Sequence, residues 1–218
     1  MHSPPAPFPD PVWHAMQDEA RLWRAKLHAC ERPGTLFLLD GASSSGKSTL
    51  VDRLTADPAF LELVPRYCTR GRRPDDQGRR EYIFVPHGTF RERAAAGAFI
   101  EYRDFEFGMS YGLPWAEAIM PLLQGRPALG VINLGNVEHV KALLPEAVTV
   151  LVDASLDTIR KRLIARGVNT PEQIAERLGN AARVQEFRKF YDYVVTNEEG
   201  ALTEAESYLR NLVRSRRS

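Results

Sequence analysis

The chain has 218 residues, 44% of them hydrophobic and 26% charged, which is long enough for one domain with inserted segments and ordinary for a soluble globular protein. Its 29 Lys and Arg nearly balance 28 Asp and Glu, so the net charge of +1 gives no overall attraction to nucleic acid or to an anionic membrane. Two cysteines without metal-ligand spacing and a start without a signal-like apolar stretch predict a reduced, cytoplasmic protein that binds neither membrane nor nucleic acid.

Residues 1–34 predict a proline-rich lead followed by an amphipathic helix. Asp10 is a candidate N-cap, with Pro11 at the first helical position. Apolar side chains then recur every three or four residues, which places them on one face of a helix. They are Trp13, Met16, Ala20, Trp23, Leu27 and Cys30. We expect this face to pack on the protein's own core, and a docking or dimerisation helix is the alternative, so both a monomer and a homodimer stay open.

The stretch "GASSSGKST", residues 41–49, matches the phosphate-binding pattern G-x-x-x-x-G-K-[ST]. It lies between a predicted buried strand, "TLFLLD", and a helix predicted to start near Lys47. The backbone N–H groups of such a loop point at phosphate oxygens, while Lys47 reaches the β and γ phosphates and the Ser48 hydroxyl binds Mg²⁺. We therefore expect ATP and Mg²⁺ to be bound here. The predicted binding residues are Gly41, Ala42, Ser43, Ser44, Ser45, Gly46, Lys47, Ser48 and Thr49.

This loop alone is shared by kinases, ATPases, GTPases and motors. The guanine-recognition motif N-K-x-D of GTPases is absent from the chain, and what remains is a small phosphotransferase. Later apolar runs, 128–134 and 147–154, alternate with helical patterns. They predict an α/β fold of three layers, a P-loop kinase fold with a parallel sheet.

The predicted core comprises 35–63 and 115–218; one segment is inserted between these two parts, and a second has a role of its own within the later part. Residues 64–114 are rich in Arg, Tyr, Phe and Gly and predict an inserted, substrate-binding lobe, here called the acceptor lobe. The segment from about residue 160 to residue 185 is predicted to form two helices that carry arginines and are joined by a short link. This whole segment is here called the lid. Ser155 is placed to cap the first helix, and Thr170 with Gln173 forms a predicted capping box before the second.

The order and spacing of five segments resemble the guanylate kinase family over about residues 35–212. The segments are "RYCTRGRRP" (66–74), "EYIFV" (81–85), "FIEYRDFEFGMSYG" (99–112), "RLIARG" (162–167) and "YDYVVTN" (191–197). This resemblance implies transfer of the γ-phosphoryl of ATP to GMP. It implies that Arg70, Arg73, Tyr82 and Tyr111 hold the phosphate of GMP. It also implies that Glu101 accepts hydrogen bonds from guanine.

On the lid, the same resemblance places arginines over ATP. The matching residues are Arg162, Arg166 and Arg177, of which Arg166 and Arg177 flank the lid turn and are, with Lys47, the predicted catalytic residues.

At four positions the chain departs from the family. Arg66 replaces a small hydroxyl residue, Leu113 replaces Ser or Thr, and Val131 and Asn133 stand where the family has Asp-x-Asp. We count Arg66 and Asn133 among the substrate-binding candidates. The segments "RYCTR" and "VINLGN" instead resemble ribose 1,5-bisphosphate phosphokinase, which makes phosphoribosyl diphosphate, and that activity is the first alternative.

Two further alternatives belong to different classes of protein. A kinase that phosphorylates a neutral hydroxyl needs a carboxylate to take the proton, and Asp40, Glu101 and Asp104 are the candidates. A non-catalytic module resembling this family binds phosphorylated ligands after losing the loop lysine and the lid arginines. Both features are present here, which favours an enzyme.

Overall fold

The computed structural model describes residues 8–72, 76–78, 80–105, 108–167 and 169–216. The helices are α1 (Asp10–Ala29), α2 (Lys47–Leu54), α3 (His87–Ala95), α4 (Trp115–Leu123), α5 (Val137–Leu143), α6 (Leu156–Ala165), α7 (Pro171–Phe187) and α8 (Leu202–Ser215). The strands are β1 (Leu36–Asp40), β2 (Glu62–Leu63), β3 (Arg66–Cys68), β4 (Tyr82–Phe84), β5 (Phe99–Phe105), β6 (Met109–Pro114), β7 (Ala128–Val131), β8 (Val148–Asp153) and β9 (Tyr193–Thr196).

The central sheet is parallel and has the strand order β2-β7-β1-β8-β9. All five residues of β1 are buried because helices cover both faces of the sheet. Leu36 and Leu38 point into the core layer that contains α4 and α1, while Phe37 and Leu39 point into the layer that contains α2 and α8. The predicted α/β fold with a parallel sheet is confirmed.

A second, smaller sheet lies in the predicted acceptor lobe and has the order β4-β3-β6-β5. Its β3–β4 pair is parallel, and β6 pairs antiparallel with both β3 and β5. In this register Cys68 lies opposite Tyr111, and Arg66 lies opposite Tyr82. The strand pairing therefore brings residues from distant parts of the lobe next to one another.

The predicted N-cap role of Asp10 is wrong: helix α1 already begins at Asp10, Pro9 is its N-cap residue, and no described side chain caps the helix start by a hydrogen bond. Met16, Ala20 and Leu27 are buried, and the helix packs mainly on α4 with further contacts to α3, α5 and β5. The Phe8 ring, just before the helix, lies 4.8 Å from the Tyr102 ring. The apolar face of α1 is thus used by the chain's own core.

Both predicted helix caps of the lid are confirmed. The Ser155 hydroxyl accepts a hydrogen bond from the Thr158 N–H at 3.2 Å. The Thr170 N–H donates to the side-chain oxygen of Gln173 at 3.0 Å, and the Gln173 N–H donates to the Thr170 hydroxyl at 3.3 Å. Within the described ranges, a search for a helix long and apolar enough to cross a bilayer finds none.

Candidate active site

The loop from Gly41 to Gly46 joins the end of β1 to the start of α2. Two positions require glycine. Gly41 has φ +153°, and a Cβ there would lie 2.4 Å from the carbonyl oxygen of Val152. Gly46 has φ +92°, and its Cβ would lie 2.1 Å from Nδ2 of Asn197. The tight backbone leaves the first N–H groups of α2 directed at the loop, which is the geometry of a phosphate-binding site.

Side chains from the lid and from the end of β9 hold this loop in place. Arg162 donates to the carbonyl oxygens of Ser44 and Ser45 at 3.3 and 3.2 Å. Nδ2 of Asn197 donates to the Ser45 carbonyl at 2.7 Å, and Arg177 donates to the Ser43 hydroxyl at 2.7 Å. The structure therefore brings the predicted lid residue Arg177 to the loop, together with Asn197, which sequence reasoning did not single out.

Three buried polar atoms beside the loop have no hydrogen-bond partner within the described residues. They are the Oγ atoms of Ser44 and Ser45 and the Oδ1 atom of Asn197. Buried polar atoms are normally paired, and hydroxyl groups that lack a protein partner fit the oxygens of a bound phosphate.

Lys47, which is partly buried, and Asp40, which is fully buried, are two charges near each other at the base of the loop. The Lys47 ammonium donates to the Gly41 carbonyl at 2.9 Å. Burial lowers the pKa of Lys47, and the nearby Asp40 carboxylate opposes that shift. Burial likewise raises the pKa of Asp40, and Lys47 followed by the Tyr191 hydroxyl opposes it.

Asp40 itself is fully buried, with 0% of its surface exposed. One of its oxygens accepts from the Gly41 N–H at 2.6 Å, and the other accepts from the Tyr191 hydroxyl. Burial, followed by the Asp40 charge, raises the pKa of Tyr191. Both oxygens of Asp40 therefore already accept a hydrogen bond.

Asp104, another candidate base, accepts from the Ser110 hydroxyl at 2.6 Å and pairs with Arg91 at 3.0 Å.

A cavity of about 230 Å³ opens against the phosphate-binding loop. Residues 42–44 and 46–49 line one side, and the other side is formed by Arg66, Glu81, Tyr82, Val131 and Arg166. The acceptor lobe and the lid thus meet the loop around a single cavity. Arg66, Tyr82 and Arg166, three predicted site residues far apart in sequence, lie together there.

The other predicted phosphate-binding residues lie in the same lobe. Arg70 forms two bonds with the Asp76 carboxylate, at 2.5 and 2.7 Å, and its guanidinium lies 5.0 Å from the centre of the Tyr82 ring. The Tyr82 and Tyr111 rings are 5.9 Å apart, and burial followed by the Glu81 charge raises the pKa of Tyr82. Asp76 was missed by the sequence analysis. Arg73 lies outside the described residues.

Glu101 is fully buried in a polar network. Asn133 donates to it through Nδ2 at 2.8 and 3.2 Å and through its backbone N–H at 3.3 Å. Asn136, which sequence reasoning missed, donates at 2.7 Å. Arg66 lies 3.6 Å from the carboxylate and donates to Oδ1 of Asn133 at 2.8 Å. Burial raises the pKa of Glu101, and Arg66, followed by the two asparagines, opposes the shift.

A glycine-rich loop between a buried parallel strand and a helix, facing arginines of the predicted lid and of the predicted acceptor lobe, defines a P-loop phosphotransferase. The family model for guanylate kinase matches residues 34–215. The chain belongs to the guanylate kinase family.

Several curated guanylate kinases are similar to this chain in sequence. A guanylate kinase of Nitrosococcus oceani is 34% identical over 187 residues, covering 84% of this chain and 90% of that protein. One of Neisseria meningitidis serogroup A is 35% identical over 184 residues, covering 84% and 88%. The crystal structure of guanylate kinase from Anaplasma phagocytophilum matches the fold with a TM-score of 0.66 at 22% identity, covering 84% of this chain and 86% of that one.

Proposed function

We propose that this protein transfers the γ-phosphoryl group of Mg·ATP to the phosphate of GMP, giving ADP and GDP. The observation that carries the proposal is the cavity in which the phosphate-binding loop faces Arg66, Tyr82 and Arg166. A donor phosphate on the loop and an acceptor phosphate on the lobe would meet in this cavity. The named activity of the curated relatives supports GMP as the acceptor.

On the donor side, residues 41–49 bind the phosphates of ATP. The unpartnered hydroxyl of Ser44, which lines the cavity, supplies a donor, and Lys47 exchanges the Gly41 carbonyl for phosphate oxygens. The Ser48 hydroxyl would hold Mg²⁺, which when bound neutralises charge on the β and γ phosphates. A second cavity, of about 400 Å³, lies between α6, α7 and the ends of β8 and β9 and offers room for the nucleoside of ATP.

On the acceptor side, Arg70, Arg73, Tyr82 and Tyr111 bind the phosphate dianion. Guanidinium groups and phenol hydroxyls are suited to this task because they donate several hydrogen bonds and neutralise charge. Asp76 holds Arg70 by two bonds, which keeps its guanidinium fixed beside Tyr82. Arg66 and Asn133 complete the acceptor side as substrate-binding residues.

The chemical step needs little proton transfer, because the attacking phosphate oxygen is already anionic. Catalysis then depends on alignment of the two substrates and on neutralisation of the charge on the moving phosphoryl group. Lys47, Arg166 and Arg177 supply that positive charge. Arg177 already contacts the loop through Ser43, and Arg166 lines the cavity. We also propose a cytoplasmic location.

The test is a coupled assay of ADP release with Mg·ATP and one acceptor at a time. The panel comprises GMP, dGMP, AMP, ribose 1,5-bisphosphate and free nucleosides. We expect GMP-dependent ADP release in the wild type and its loss in Lys47→Ala, with Lys161→Ala as the matched control because Lys161 is exposed on α6. ADP release that depends on ribose 1,5-bisphosphate would support the phosphokinase that makes phosphoribosyl diphosphate, and release that depends on a nucleoside would support a kinase acting on a hydroxyl. If no acceptor causes ADP release, the kinase proposal is refuted and the non-catalytic binding module is supported.

A further inference from the structure

Glu101 is the residue that the family resemblance assigns to the N–H groups of guanine, yet in this chain other side chains cover it. None of its surface is exposed, and it does not line the 230 Å³ cavity. Arg66, on lobe strand β3 and separated from β5 by β6, contacts the Glu101 carboxylate and itself lines the cavity that Glu101 does not reach. A guanine base cannot reach the carboxylate while this arrangement holds.

The hydrogen-bonding capacity of Glu101 is also largely used. A carboxylate accepts about four hydrogen bonds. Three nitrogen atoms of Asn133 and Asn136 all donate to Oε2, at 2.7–3.3 Å, whereas Oε1 receives only a second contact of Asn133 Nδ2 at 3.2 Å and the charge of Arg66 at 3.6 Å. The carboxylate thus serves as the buried counter-charge of Arg66: the two amides fill Oε2, and a ligand could bind Oε1 only in place of Arg66.

Arg66, by contrast, has an unused donor. Its side chain is 9% exposed and lines the cavity together with Lys47, Ser48 and Tyr82. Its Nη2 atom donates to Asn133, but its Nε atom has no partner within the described residues. A buried guanidinium N–H without a partner is costly, and a ligand atom that accepts a hydrogen bond would satisfy it.

We propose that Arg66 determines acceptor specificity and recognises hydrogen-bond-accepting atoms of the acceptor, while Glu101 positions Arg66 and does not bind the base. This inference rests on the proposed function and names the acceptor class within it. The acceptor class is the nucleoside monophosphates whose base presents an oxygen or nitrogen atom that accepts a hydrogen bond from Arg66. The N–H groups of the base do not affect which nucleotide is bound.

A chemical comparison separates this proposal from recognition by Glu101. GMP and inosine monophosphate present the same O6 and N7 acceptors, but inosine monophosphate lacks the 2-amino group. A free carboxylate at Glu101 would prefer GMP, since an unmatched hydrogen bond to a charged group changes affinity by about tenfold or more. A guanidinium in front of it would bind both nucleotides alike.

The experiment is calorimetric titration of both nucleotides into the wild type, into Arg66→Ser and into the control Arg72→Ser. Arg72 is an exposed arginine of the same lobe, beside Phe84. We expect the two Kd values to agree within about threefold in the wild type and in the control. In Arg66→Ser, where the carboxylate is uncovered, GMP should bind at least about tenfold more tightly than inosine monophosphate.

A tenfold preference for GMP in the wild type would overturn the inference, as would a lack of binding by either nucleotide. The wild-type measurement stands even if Arg66→Ser does not fold, which its thermal melting curve would reveal. An equal affinity of folded Arg66→Ser for both nucleotides would refute the role of Arg66 in covering Glu101. Failure of the proposed function is distinguished by the separate measurement of GMP-dependent ADP release.

Discussion

Tyr191→Phe removes one oxygen atom from the buried contact beneath the phosphate-binding loop. The lost hydroxyl donates to Asp40, which is 0% exposed and cannot recruit water in its place. The other Asp40 oxygen keeps its bond to the Gly41 N–H at 2.6 Å. An unsatisfied buried acceptor costs about 1–3 kcal/mol, and more when it is charged. We therefore expect the free energy of unfolding to fall by about 2–3 kcal/mol at neutral pH.

Urea unfolding followed by tryptophan fluorescence would measure this loss. The matched control is Tyr193→Phe, two residues further on, whose hydroxyl accepts from the exposed Arg216 at 2.9 Å. An exposed contact of this kind is expected to change stability by less than about 0.5 kcal/mol. Equal losses in the two variants, or a midpoint for Tyr191→Phe that matches the wild type, would refute the assignment of a stabilising role to the Asp40–Tyr191 contact.

Three further predictions concern the loop and the lid. Burial raises the pKa of Asp40, so its contribution to stability is full below its ordinary pKa of about 3.9 and is lost as the pH rises through the folded-state pKa. Asp40→Asn should therefore gain stability relative to the wild type in urea titrations from pH 4 to 8, and a flat difference would contradict this. Gly46→Ala places a methyl group 2.1 Å from Asn197 Nδ2 and should lower kcat/KM for ATP by about tenfold or more, as steady-state kinetics would show. Thr170→Ala removes the capping box with Gln173 and should cost about 1 kcal/mol, detected as faster hydrogen exchange at the start of α7 while exchange in α8 is unchanged.

The parts of the fold that follow local rules were predictable from the sequence. Strand β1 is a continuous apolar run because both sheet faces are covered, and the glycine pattern after it specifies the turn into α2. The capping box of Thr170 and Gln173 is a contact over three residues, so its spacing alone indicates it.

The polar network of the acceptor lobe was not predictable in the same way. Asn136 and Glu101 are 35 residues apart, and they meet only because α5 packs beside β5. The contact of Asp40 with Tyr191 spans 151 residues and depends on the position of the segment between α7 and β9. Neither pair has a periodicity or a spacing that marks it in the sequence, although Asn136 does lie in the segment "NLGN" beside Asn133.

Helix α1 has a practical consequence for anyone who shortens this chain. The family match begins at residue 34, so a version trimmed to that boundary would lack the helix. Met16, Ala20 and Leu27 would no longer cover α4, and Tyr102 would lose the Phe8 ring. The newly bare apolar surface would favour aggregation, and it would lie directly behind the strand that carries Glu101. Poor solubility of such a trimmed protein would then reflect a missing piece of the core and would give no information about the enzyme's own stability.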